Sequence, residues 1–142
     1  MAESQLLPWQ QNIYDAVLEQ LSKGELVNLK MPHGYGRMFI TGIIIRNYFK
    51  KVVICGNNNM CLIDAKSTLS KICSEFNMDT TEGEKWIAFC YGPKFNRNNY
   101  PECELFVGIN LKYTPNCFSN TLSIESGLKC MVNGVEKSIT NL

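Results

Sequence analysis

The chain has 142 residues, 45% hydrophobic and 19% charged, with a formal net charge of +1. That balance excludes a disordered chain and a globally basic nucleic-acid coat, so any electropositive surface must be local. No apolar run approaches the ~18–20 residues of a membrane-spanning helix, and no membrane partner is expected.

A length of this order points to one domain, residues 1–142, large enough to bury a real core. The polar start Met1-Ala2-Glu3-Ser4-Gln5 is unlike a signal peptide. Seven cysteines is an odd number and no Cys-x-x-Cys pair occurs. Cys55, Cys73, Cys90 and Cys103 sit in apolar stretches, as small core residues do. A reducing intracellular compartment, cytoplasmic or nuclear, is the expectation, with no metal ligands among them.

In chain order, apolar residues at Ile13, Val17, Leu18 and Leu21 recur at helical spacing, and Pro8 suits a first helical turn, so a helix is predicted over 8–21. Lys23-Gly24 supplies its stop. Leu26 to Met31 reads as a strand and 36–49 as a helix, although Ile43-Ile44-Ile45 is β-branched and would also fit a strand. Lys51 to Cys55 is a short buried strand with Gly56-Asn57-Asn58-Asn59 as its exit turn. A third helix is predicted over 60–76, with Leu62, Ala65, Leu69, Ile72, Cys73 and Phe76 on one stripe. Residues 77–83 read as loop. Strands follow at 85–91 and 104–109, with a weaker one at 121–124. Asn133-Gly134 between Cys130-Met131-Val132 and Val135 suggests a small hairpin. Helices alternating with short β-branched runs imply a parallel sheet between helices, a three-layer α/β/α arrangement with ligands at the carboxyl ends of the strands.

The stretch Pro32-His33-Gly34-Tyr35-Gly36-Arg37-Met38 lies between the first strand and the second helix. Strand, glycine-bearing turn and helix make the framework of a phosphate-binding loop, in which backbone N–H groups converge on an anion. The complete motif would continue Gly-Lys-Ser/Thr. Here Gly36-Arg37-Met38 stands instead. A tight connection without ligand is the plain alternative, and His33, the sole histidine, is either a phosphate contact or a solvated loop residue.

Pro8-Trp9-Gln10, the helix after it, the first strand, the glycine turn and Lys51-Val52-Val53-Ile54-Cys55 together resemble the start of the RecA-like ATPase core of superfamily 2 helicases and of large terminase ATPases. The resemblance spans residues 6–110, most closely 6–56, and implies a RecA-like P-loop fold, truncated. It assigns Gln10 to adenine and residues 32–38 to the phosphates, with ATP as the ligand. Leu7 stands before Pro8, and the arginine common ahead of that motif is missing. The family's second motif would fall on Leu105 to Leu111, where Asn110 and Leu111 replace two acids.

Each departure has a chemical consequence. Arg37 keeps a positive charge but is a planar fork, not a compact ammonium. Met38 cannot hold magnesium, which wants hard oxygen ligands. Asn110 is neutral and Leu111 cannot activate water, whereas phosphoryl transfer depends on charge neutralisation and positioning. No catalytic residue is therefore assigned. Three readings stay open: a degenerate nucleotide-binding, nucleic-acid-associated binding or assembly module; an active nucleic-acid-dependent ATPase completed by a second RecA-like lobe or another copy; and a structural protein keeping the fold alone. Lys94 and Arg97, in a loop rich in aromatic residues, are the candidate contacts to DNA or RNA, with an ordinary surface loop as the alternative. Asparagine-rich turns and eroded motifs would suit a viral protein.

Overall fold

A computed structural model describes residues 6–115 and 118–139. Helix α1 (Pro8–Ser22) leads to strand β1 (Leu26–Met31), helix α2 (Arg37–Tyr48) to β2 (Lys51–Gly56), and helix α3 (Asn59–Ile72) to β3 (Asn77–Met78) and β4 (Trp86–Tyr91). Two 3₁₀ turns at Gly92–Lys94 and Arg97–Asn99 precede β5 (Leu105–Ile109), β6 (Thr121–Ser126), β7 (Cys130–Val132) and β8 (Val135–Lys137).

These strands form one sheet in the order β3-β4-β2-β5-β6-β1-β7-β8. From β3 to β1 every pairing is parallel; β7 runs antiparallel to β1 and to β8. The β7–β8 turn is the expected hairpin, with Asn133 and Gly134 both at positive φ, +49° and +80°. Strand β6, read from sequence as weak, lies between β5 and β1 with Thr121 to Ile124 buried. Its polar Thr121 and Ser123 face one side while Leu122 and Ile124 face the main core, so alternation hid a central strand.

The isoleucine run of α2 is helical because that helix is the middle one of three. It packs against α1 on one flank and α3 on the other. Ile40, Thr41, Gly42, Ile43, Ile44 and Ile45 are all buried, and tertiary burial overrides the β-branched preference. Gly42 permits the close crossing: a Cβ there would stand 2.9 Å from Ile72 Cδ1 and 3.1 Å from Leu69 Cδ2. Helix α3 stops at Ile72, four residues short of the expected end. Cys73 and Phe76 still reach the core, but from the turn that follows, and residues 77–78 form an edge strand within the expected loop.

The two sheet faces are covered differently. One carries the side chains of all three helices over Val52, Ile54, Val107, Leu122 and their neighbours. On the other, Val53, Cys55, Trp86, Ala88, Cys90 and Phe106 pack under Phe95, Tyr100, Cys103, Leu111 and Phe118, which come from the segments flanking β5. The three-layer α/β/α expectation is thus corrected to α/β with helices on a single face among the described residues. The β4–β5 connection is too short for a helix once two 3₁₀ turns and an aromatic cluster occupy it. The cysteines behave as core residues: burial pushes the Cys73 and Cys130 thiols up to about 11, and burial followed by the neighbouring Cys90 pushes Cys55 up to about 12. They stay neutral thiols at physiological pH, which argues against a nucleophilic role.

Candidate functional site

The six parallel strands from β3 to β1 end at one edge of the sheet, and the glycine turn sits there at the exit of β1. Gly34 and Gly36 both adopt left-handed backbone, φ +84° and +87°, which lets the chain reverse from strand into helix in five residues. Gly36 is the N-cap of α2, which carries no side-chain cap and no acid in its first turn. No acid in α2's own first turn neutralises the positive end of that helix dipole.

Behind the turn, α1 acts as a brace. The carboxamide of Gln10 is buried, its Oε1 accepting the Leu7 N–H at 3.0 Å and its Nε2 donating to the Tyr35 carbonyl at 3.2 Å. The amide that the resemblance assigned to adenine is thus committed to the protein, holding the turn from below. Trp9 meets the Tyr35 ring edge-on, with centroids 5.9 Å apart. Gln10→Ala removes both hydrogen bonds and is expected to destabilise the domain by about 1–2 kcal/mol, read as a lower urea midpoint at unchanged slope.

In front of the turn is a cleft of about 420 Å³. His33, Gly34, Gly36, Arg37 and Met38 form one wall, so most of the residues singled out from sequence converge here, with Pro32 half-buried and Tyr35 exposed alongside. The first three turns of α3 form the opposite wall through Met60, Cys61, Asp64 and Thr68. Asn58, Asn110 and Ser126 close it at the ends of β2, β5 and β6. The Arg37 guanidinium donates from Nη1 to the Ser126 hydroxyl at 3.0 Å. Asn110, left-handed at φ +53°, accepts the Ser126 N–H on Oδ1 at 3.1 Å, and its own N–H bonds the Ile124 carbonyl at 2.8 Å. Its Nδ2 donates to Cys61 Sγ at 3.8 Å. Asn110 therefore stitches β5, β6 and α3 together at the mouth of the cleft.

Asn58, Asp64, Thr68 and Ser126 escaped sequence reasoning. Cys61, Asp64 and Thr68 follow one another at helical spacing on α3, flanking its apolar stripe, a spacing that was readable. Ser126 was not, because only the β1–β6 register sets it opposite Met31. Lys94 and Arg97 do not reach the cleft. Both are exposed in the segment covering the second sheet face, and Arg97 lies over the Phe118 ring at 4.7 Å. Phe95 of the same segment is packed on Phe106 at 4.9 Å between centroids, so it is a core cover and not a free stacking platform.

The donor set suits magnesium poorly. Asp64 is the one carboxylate lining the cleft, and the side-chain oxygens of Asn58 and Asn110 already accept from Cys61 N–H and Ser126 N–H. Among the described residues no group of three or more His, Cys, Asp or Glu is arranged for a metal, and no helix is long and apolar enough to cross a membrane. Compared with protein-family models and with curated proteins, the chain matches none.

Proposed function

We propose that this chain is a degenerate RecA-like nucleotide-binding domain, resembling superfamily 2 helicases and terminase ATPases, that binds a phosphate-bearing ligand with little or no hydrolysis. One observation carries the reading: two left-handed glycines deliver Arg37 and an acid-free helix start into a cleft large enough for a nucleotide. Amides at a helix start together with a guanidinium favour an anion. Hydrolysis lacks support because the cleft holds a single carboxylate, and Asn110 and Leu111 stand where a RecA-like ATPase has acids. Such a domain serves as a binding or assembly module. Its nucleic-acid side rests on Lys94 and Arg97, with Lys112 and Tyr113 exposed in a neighbouring cleft at the same edge.

Thermal-shift titration with ATP, with and without magnesium, tests the reading. At a hundredfold excess over Kd, binding adds about 2.7 kcal/mol, a rise of several degrees in Tm. The expected result is a rise in both conditions and no steady release of phosphate. Phosphate release stimulated by DNA or RNA would select the active-ATPase alternative; no shift at millimolar ATP would select a purely structural role. Replacing Arg37→Lys and Met38→Thr together restores the missing groups and should make ATP binding magnesium-dependent.

A further inference from the structure

We propose, resting on the phosphate-binding reading above, that the cleft takes a ribonucleotide in particular, with Asp64 and Thr68 of α3 holding the ribose hydroxyls while Arg37 holds phosphate. Arg37 and Asp64 line the same cavity of about 420 Å³, yet they do not neutralise each other. The guanidinium is turned to the Ser126 hydroxyl at 3.0 Å, and the Asp64 carboxylate makes no ion pair or hydrogen bond among the described residues. A ligand filling the cavity meets a cation on one wall and an unpaired carboxylate on the other.

That polarity selects between classes of phosphate compound. A bare polyphosphate gains from Arg37 but is repelled by Asp64. A nucleoside phosphate gains from both, because vicinal hydroxyls donate to a carboxylate in charge-assisted hydrogen bonds. Thr68 lies one helical turn beyond Asp64 on the same face of α3, where its hydroxyl extends the row of oxygens. Met60, 66% exposed at the rim, offers a polarizable apolar shelf of the kind a base ring covers.

Calorimetric titration of the wild-type chain and of Asp64→Asn with ATP, 2′-deoxy-ATP and inorganic tripolyphosphate tests the assignment. Asp64 is solvent-facing, so the variant keeps the fold, checked by circular dichroism. Wild-type protein is expected to bind ATP about tenfold more tightly than 2′-deoxy-ATP, the value of one hydrogen bond to a charged acceptor. Asp64→Asn should weaken ATP to the level of 2′-deoxy-ATP and at the same time tighten tripolyphosphate, since a repelling charge has gone. Opposite signs for the two ligands are the signature of a sugar-reading carboxylate. Equal binding of ATP and 2′-deoxy-ATP, or a variant that tightens both ATP and tripolyphosphate, overturns the ribonucleotide assignment while tripolyphosphate binding keeps the phosphate site. Failure of all three ligands to bind the wild-type chain overturns the phosphate site as well.

Discussion

Phe106→Ala is expected to cost about 3–5 kcal/mol, the range for truncating a fully buried aromatic side chain. Phe106 is inaccessible to solvent on β5 and is the centre of the second face of the sheet. Its ring meets Phe95 edge-on at 4.9 Å and stacks on Phe118 at 5.6 Å, and Arg97 covers Phe118 in turn. Among the described residues no α-helix backs this face, so the ring is what fastens the irregular segments on either side of β5 to the sheet. A domain of this size holds about 5–15 kcal/mol in total, so the variant should unfold at a much lower urea concentration and be cut first within 92–103 by limited proteolysis. Phe106→Leu, which retains most of the volume, should cost less than half as much. A loss below about 1 kcal/mol for the alanine variant would mean that those segments do not depend on the ring.

Arg37→Glu is expected to separate binding from stability. Arg37 is the first residue of α2, where a carboxylate is favoured by the helix dipole by about 0.3–1 kcal/mol, against the loss of one exposed hydrogen bond to Ser126. The unliganded variant should therefore melt within a degree or two of wild type, or slightly above it. Anion binding should collapse, because the substitution removes a charge-assisted donor and adds a repelling charge. Two such contacts at roughly 1.5 kcal/mol each correspond to about a hundredfold in Kd. The measurement is the ATP-induced rise in Tm beside the unliganded Tm. A variant that keeps its full ATP response would move the phosphate site away from this turn.

The sequence of local elements was legible because each obeys a short-range rule. Pro8 at the start of α1, the Lys23-Gly24 stop, the short apolar runs of β1 and β2 and the Asn133-Gly134 turn all act over a few residues. The turn at 32–38 was legible for the same reason, since Gly34 and Gly36 mark a backbone that other residues avoid. Misreadings began where a residue's partner lies far along the chain. The end of α3 was overestimated because Cys73 and Phe76 continue the apolar stripe from outside the helix, and β6 was underrated because its polar residues are buried by sheet neighbours.

By itself, then, the chain's order of residues determined an alternating α/β protein with a glycine turn, followed by Arg37 and Met38, between a strand and a helix. Tertiary structure alone decided that the helices share one face, that Gln10 braces the turn from behind, that Ser126 bonds Arg37 and that Asp64 lines the same cleft. The physical reason is range: propensity and backbone sterics act between near neighbours, whereas strand order and register bring together side chains as distant as Arg37 and Ser126.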